Sequence, residues 1–257
     1  MTIAKIQAVA FDLGGTLEDL YYDDAIRVEA TRGLRKLLIE RGLDPGLSLP
    51  DLQAAVLSGI TAYQDWREKS EIELSPERVW AEYIFPNQGL SKDRLMAAAQ
   101  ELVFFYETHF HIRTMRPEVP VVLEALRETG FRLAVISNII SHRVVQHSLK
   151  RYGIEHYFDP VLTSAGFGWR KPNARIFLEA ARRMNLPPAN CAYVGDTVSR
   201  DVIGARRAKY GLVIQIKSFL TDKADQGTSS VLPDAVIHNL MQVVNLVNSN
   251  TETVHES

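Results

Sequence analysis

Apolar residues in this chain follow two alternating rhythms. Short continuous runs, "IQAVAF" (6 to 11), "FRLAVIS" (131 to 137), "CAYVGD" (191 to 196) and "GLVIQI" (211 to 216), have the length expected of strands buried on both faces. Between them, "PEVPVVLEALRETG", "SHRVVQHSLKRYG" and "NARIFLEAARRMN" gather their apolar residues at helical spacing. The first carries Val121, Leu123, Ala125 and Leu126 and closes at Gly130, where a left-handed cap costs glycine little. Strands alternating with helices of ~10 to 15 residues predict crossover units. The expected fold is α/β, a Rossmann-like parallel sheet covered on both faces.

The rhythm changes from about residue 20 to 112. No convincing strand occurs there, and four helical stretches are predicted at 23 to 41, 50 to 68, 75 to 85 and 91 to 110, punctuated by "RGLDPG", "SPE" and "FPNQGLS". The organisation read from this is an α/β core formed by 1–19 and 113–249, a helical insert at 20–112 and a flexible tail at 250–257. Tyr63, Trp66, Trp80, Tyr83, Phe104, Phe105 and Tyr106 recur at helical spacing and read as the core of the insert. "SFLTDKADQGTSS" reads as an exposed loop, and the chain turns polar from Asn248. There is no internal repeat.

Composition narrows the classes of function. Of 257 residues, 46% are hydrophobic and 23% charged, ordinary values for a globular protein. Acidic residues outnumber basic ones by 31 to 29, so no broad basic field exists to hold nucleic acid, and any phosphate recognition must be local. The single cysteine, Cys191, excludes an intramolecular disulfide and fits a reducing compartment. No apolar run approaches the ~20 residues needed to span a bilayer, and the start lacks the pattern of a secretory signal. A cytoplasmic protein without membrane association is expected. No feature fixes an oligomeric state.

Chemistry concentrates where the predicted strands end, the edge at which open parallel sheets bind ligands. The first run ends at Asp12 with Gly14, Gly15 and Thr16. The second ends at Ser137 and Asn138, a later loop presents Lys171 before Pro172, and "YVGDTVSRD" supplies Asp196 and Asp201. Each piece alone has a plainer reading as a helix cap, a turn or a helix start. Together, three carboxylates, one ammonium and two hydroxyls suit phosphoryl transfer by a carboxylate nucleophile, with a hard divalent cation and hydroxyl donors balancing the phosphate oxygens. Magnesium is the cation such donors favour.

"FDLGGTL", "VISN", "RKPNARIF" and "YVGDTVSRD" resemble, in order, the four motifs of the haloacid dehalogenase superfamily, with a helical cap inserted after the first. The resemblance runs from about Ile6 to Val247. It implies Asp12 as nucleophile, Thr16 and Ser137 positioning nucleophile and phosphate, Asn138 orienting the incoming group, and Lys171 neutralising phosphate and organising Asp12. It implies Mg²⁺ held by the carboxylates of Asp12 and Asp196 and the carbonyl of Gly14, with Asp201 acting directly or through water. Asp19 matches an acid at the cap hinge. The implied substrate is a small phosphorylated metabolite, selected by cap residues.

Gly14 departs from the pattern. In the phosphatases of this superfamily that position carries the aspartate that protonates the leaving group and later activates water, assistance worth about 10² to 10⁴ in rate. The metal ligand there is a backbone carbonyl, which glycine retains. Four functions remain open: a magnesium-dependent phosphatase suited to easy leaving groups, with Glu18, Asp19 or a cap residue as substitute acid; a phosphonate hydrolase, which needs an imine-forming cap lysine such as Lys36, Lys69 or Lys92; a 2-haloacid dehalogenase, disfavoured because both acids of "GDTVSRD" are present and position 14 is not aromatic; and a degenerate member that binds a phosphorylated ligand or partner. His109 and His111 lack companions to complete a metal site. The pairs Arg182–Arg183 and Arg206–Arg207 read as solvated helix faces, and Cys191 as a buried small hydrophobe.

Overall fold

The computed structural model describes residues 5–218, 221 and 231–249. Six strands form one parallel sheet: β1 (Ala8–Phe11), β4 (Arg132–Ser137), β5 (Val161–Thr163), β6 (Cys191–Gly195), β7 (Leu212–Ile216) and β8 (Ala235–Ile237), in the spatial order β5-β4-β1-β6-β7-β8. From β1 the chain builds outward through β4 and β5, then crosses to the other side for β6, β7 and β8. β1 is therefore the switch point, and its carboxyl end faces the crevice that this topology creates. Phe11 stands opposite both Val135 and Val194, so Asp12 emerges beside the ends of β4 and β6.

Burial on both faces explains the unbroken apolar runs. Ala8, Ala10, Ala134, Ile136, Tyr193 and Val213 pack on Ile176, Phe177, Ala180 and Ala181 of α8 (Ala174–Arg183) and on Ala205 of α9 (Ile203–Arg207). The alternating set, Val9, Phe11, Leu133, Val135, Ala192 and Val194, is equally buried. α5 (Val119–Glu128) packs on α10 (Met241–Ser249). α7 (Ser164–Phe167) and α6 (His142–Arg151) from Val145 onward also belong to this part of the chain. Cys191 lies buried at the start of β6, where burial pushes its thiol up to about 12.

The chain divides into two compact units. One takes the described residues up to Leu20, Arg113–Asn138 and those from Val145 onward; the other takes Tyr21–Ile112 together with Ile139–Val144. The second is helical: α1 (Asp24–Glu40), α2 (Leu49–Ser70), α3 (Pro76–Val79) running into a wide π-turn at 80–84, and α4 (Lys92–His109). Asp23, Ser48 and Ser91 accept from backbone N–H groups of the first turns of α1, α2 and α4, satisfying donors that a helix leaves open. Tyr63, Trp80 and Tyr106 are buried in its core, with Trp66, Tyr83 and Phe105 packed against them. Phe104 instead lies under the guanidinium of Arg143, 5.0 Å from its ring centre. His109 stacks on Phe105 at 4.0 Å, and His111 meets Tyr22 and Tyr106 edge-on.

The strands flanking the insert, β2 (Glu18–Tyr21) and β3 (Ile112–Met115), pair as a separate two-stranded sheet. At four residues each they are too short to carry a strand period, and the same holds for β5 and β8. Most of the expected loop at 218–230 and the tail from 250 lie outside the described residues. Among those described, no helix is long and apolar enough to cross a membrane.

Ile136 is fully buried between β1, β5 and α8. Ile136→Ala is expected to lower stability by about 2–5 kcal/mol through lost burial and a residual cavity, measured by urea denaturation. A loss below about 1 kcal/mol would show that the sheet core is loosely packed.

Candidate active site

Two strand ends, one π-turn and one loop of the α/β unit bring four charged groups together. Asp12 follows β1, Asp196 follows β6, Asp201 lies on the wide π-turn at 198–202, and Lys171 precedes α8. All are buried; Asp12 keeps 8% exposure and Lys171 2%. One oxygen from each of the three carboxylates lies within 4.8 Å of the others.

The Lys171 ammonium organises the set. Its Nζ donates to Asp201 Oδ1 at 2.7 Å and to the Tyr193 hydroxyl at 2.9 Å, and pairs with Asp12 Oδ1 at 2.8 Å. An ammonium has three donors, so all three are engaged within the protein. Asp201 is saturated in the same way: Oδ1 accepts from Lys171 and from Tyr193 Oη at 2.8 Å, and Oδ2 accepts from Thr197 N–H at 3.0 Å and Thr197 Oγ1 at 2.7 Å. Asp12 Oδ1 also accepts from the Leu13 N–H at 2.7 Å, and Asp196 Oδ2 accepts from Ser218 Oγ at 2.7 Å. Asp12 Oδ2 and Asp196 Oδ1 therefore remain outside these bonds.

Two glycines permit this approach. Gly15 has φ +84°, and a Cβ on it would lie 2.3 Å from Asp196 Oδ2; a Cβ on Gly195 would lie 2.4 Å from Asp201 Cγ. The first position demands a left-handed backbone and both demand no side chain.

Charge is unbalanced. Burial is the largest influence on Asp12 and lifts its pKa to about 6; Lys171 pulls against it and the charge of Asp201 adds to the rise. Burial, followed by the charges of Asp201 and Asp12, lifts Asp196 to about 7. Burial also opposes ionisation of Asp201, but Lys171, Arg200 and Thr197 outweigh it and bring that carboxyl below its ordinary value. One buried ammonium cannot balance three buried carboxylates, and the two oxygens left outside the hydrogen bonds belong to different strand ends. This donor set fits a divalent cation.

The other residues singled out in the sequence are placed as follows. Gly14 sits in the turn after β1, where Glu18 N–H donates to the Leu13 carbonyl and Gly15 N–H to the Glu18 carbonyl, leaving the Gly14 carbonyl outside that ladder. Thr16 is fully buried, and its Oγ1 has no hydrogen-bond partner among the described residues. Ser137 ends β4 and is buried. Asn138 grips the Lys171 backbone at both ends: its Nδ2 donates to the Lys171 carbonyl at 2.9 Å and its Oδ1 accepts the Lys171 N–H at 2.8 Å. Glu18 and Asp19 are both in ion pairs. Glu18, with its side chain fully buried, pairs with Arg113 and accepts from Tyr152 Oη at 2.8 Å, and Asp19 pairs with Arg116 at 3.0 Å.

Sequence reading passed over Tyr193, Thr197, Ser218 and Arg116. Tyr193 lies inside an apolar run and reads as core, which it also is, packing edge-on against Phe177 and Tyr210. Arg116 donates to the Gly15 carbonyl at 2.9 Å and the Lys217 carbonyl at 3.3 Å, joining the turn after β1 to the segment after β7. The sequence signal for Thr197 was its place between two site acids; Ser218 and Arg116 had none.

A family model for haloacid dehalogenase-like hydrolases matches residues 6–209. The chain belongs to this hydrolase family. It is 30% identical over 243 residues to a glyceraldehyde 3-phosphate phosphatase of Methanopyrus kandleri, covering 94% of this chain and 97% of the relative. It is 28% identical over 253 residues to a phosphoglycolate phosphatase of Vibrio vulnificus, covering 96% and 98%. Among solved structures, a 2-haloacid dehalogenase from Pseudomonas syringae superposes with a TM-score of 0.64 at 27% identity, covering 95% of this chain and 98% of that one.

The raised carboxyls of Asp12 and Asp196 predict a pH dependence in the metal-free hydrolase. Because the folded state holds these protons more tightly than the unfolded chain, their stabilising contribution is full below about pH 4 and is lost as pH rises through 6 and 7. The melting temperature in chelator is expected to fall from about pH 5 to about pH 8, and a divalent cation is expected to restore more of it at pH 8 than at pH 5. Equal stabilisation by the cation at both values would refute the charge imbalance.

Proposed function

We propose that this hydrolase is a Mg²⁺-dependent phosphatase of small phosphorylated metabolites, acting through an aspartyl phosphate on Asp12, with Gly14 in place of the usual acid. The observation that carries the reading is the Lys171 ammonium held between Asp12 and Asp201, beside an Asp196 that shares the carboxylate cluster. The family and the phosphatase activities of the Methanopyrus and Vibrio relatives support it. Asp12, the Gly14 carbonyl and Asp196 would hold Mg²⁺, with Asp201 acting on its shell, and the ion supplies the positive charge that lets a carboxylate approach a phosphate.

Asp12 Oδ1 is held by Lys171 and the Leu13 N–H, and one oxygen of this carboxylate would attack phosphorus while the other faces the ion. A bond from the Asp12 carboxylate to phosphorus forms as the bond from phosphorus to the leaving oxygen breaks, and water later cleaves the acyl phosphate to regenerate Asp12. Lys171 keeps Asp12 ionised; its donors are all engaged, so it acts on phosphate through charge. Ser137 and Thr16, both buried at the strand ends, supply hydroxyls for the phosphate and the nucleophile, and Asn138 fixes the lysine.

Among the described residues, neither acid close to Gly14 in sequence is free to protonate the leaving group. Glu18 and Asp19 already have ion-pair partners, and a Cβ at position 14 would meet Leu20 Cδ1 at 2.7 Å. The enzyme is therefore suited to leaving groups that depart as stable anions. Lys36, Lys69 and Lys92 are exposed, whereas an imine-forming lysine is activated by desolvation, which counts against phosphonate cleavage.

para-Nitrophenyl phosphate is expected to be hydrolysed with Mg²⁺, not with EDTA, and not by Asp12→Asn. Metal binding by calorimetry without turnover would instead identify a degenerate member that binds a phosphorylated ligand. Gly14→Asp combined with Leu20→Val, which clears the methyl, is expected to raise alkyl phosphate hydrolysis by about 10²-fold or more. An unchanged rate in the folded double variant would show that another group already delivers the proton.

A further inference from the structure

The segment that follows the site residues Ser137 and Asn138 is held from an unexpected quarter. Residues Ile139–Val144 belong to the helical unit, and the carboxylate of Glu107, in the last turns of α4, accepts from the Ile140 N–H at 2.9 Å and the Ser141 N–H at 3.0 Å. Glu107, Ile140 and Ser141 are 7%, 2% and 1% exposed, so these are charge-assisted bonds shielded from water. Two further contacts fix the same segment: Ile140 sits in the helical core, and the Arg143 guanidinium lies 5.0 Å over Phe104, one turn before Glu107. On the other side of the peptide bond to Ile139, Asn138 clasps the Lys171 backbone through two hydrogen bonds.

We propose that Glu107 is a positioning residue for Lys171, acting through the amides of Ile140 and Ser141 and the side chain of Asn138. It touches no reacting atom. A carboxylate is suited to this because it can accept both neighbouring N–H groups at once, near the start of α6 where the helix favours negative charge. Fixing Ile140 and Ser141 limits the backbone freedom of Asn138, two residues before Ile140. Asn138 in turn fixes the residue whose Nζ lies 2.8 Å from Asp12 and 2.7 Å from Asp201. Misplacement of a catalytic group by about 1 Å can cost about 10²-fold in rate, so a distant clamp of this kind matters for turnover. The catalytic consequence rests on the function proposed above; the mechanical coupling does not.

The test reads the two separately. Amide hydrogen exchange at Lys171, whose N–H is held by Asn138, is expected to be at least about tenfold faster in Glu107→Ala. It should be intermediate in Glu107→Gln, which keeps one acceptor oxygen for two donors. Leu34→Ala, a core substitution in the helical unit, controls for general destabilisation and should leave Lys171 exchange unchanged. In the same variants kcat for para-nitrophenyl phosphate is expected to fall by about 10- to 100-fold in Glu107→Ala with KM within about twofold. In an Asn138→Ala background the additional loss from Glu107→Ala should vanish, because the relay is already cut. Unchanged Lys171 exchange in folded Glu107→Ala and Glu107→Gln, or additive losses in the cycle, would overturn the proposal. Faster exchange in a protein whose wild type shows no metal-dependent turnover would sustain the relay and refute the phosphatase reading.

Discussion

A single buried ammonium determines the arrangement of the site. Lys171 joins Asp12 to Asp201, and its third donor goes to Tyr193, so the ends of β1 and β6 and the turn beyond β6 are tied by one residue on a fourth segment. A buried ion pair is a poor source of stability, because desolvating the charges offsets most of their attraction, and removing one partner leaves the others uncompensated. What it does supply is geometry. Asp201, with hydrogen bonds on both oxygens, serves to hold the lysine and Thr197, and a direct metal bond from it would displace one of those contacts. Asp12 and Asp196 are the carboxylates with an oxygen to give.

Much of this was readable because parallel strands end where chemistry begins. A buried strand appears as a short apolar run, and the first polar residues after it fall at the sheet edge that binds ligands, so Asp12, Ser137, Asn138 and Asp196 announce themselves by position. What escaped notice depends on partners far away in the chain. Tyr193 faces the core along its ring and the site at its hydroxyl, and in sequence only the ring is visible. Arg116 acts on Gly15, roughly a hundred residues earlier, and Glu107 on amides over thirty residues later. No local period reports such pairings. The same holds for Asn138: the resemblance implies a contact with the incoming group, and the hold of its amide on the backbone of Lys171 is a second, distant pairing that no local pattern reports.

The departure at Gly14 takes a specific form in three dimensions. The volume that a side chain would enter is occupied by Leu20, and the guanidinium of Arg113 lies 3.9 Å from the place of the missing Cβ. Arg113 is itself paired with Glu18, which is fully buried and also bonded by Tyr152. A simple deletion of an acid would leave a hole or a free carboxylate nearby to fill the role. Here the space holds a methyl group of Leu20 beside a closed ionic cluster. Burial lifts Tyr152 to about 12, aided by the charge of Glu18, so that hydroxyl is a weak proton donor near neutrality.

The consequence follows from the order of the two chemical steps. Attack by Asp12 requires a leaving group able to depart, and a stable anion meets that need without a proton. Attack by water on the acyl phosphate is the same for every substrate and cannot be rescued by choosing a better leaving group. In the proposed reaction the missing acid is therefore felt selectively in the first step and uniformly in the second. Substrates with good leaving groups converge on a common, slow rate of dephosphorylation, and phosphorylated Asp12 becomes the resting form during turnover. In the proposed reaction Gly14 would thus slow breakdown of the intermediate for every substrate, while the charge of Lys171, facing the phosphate in both steps, would bear on formation and breakdown alike.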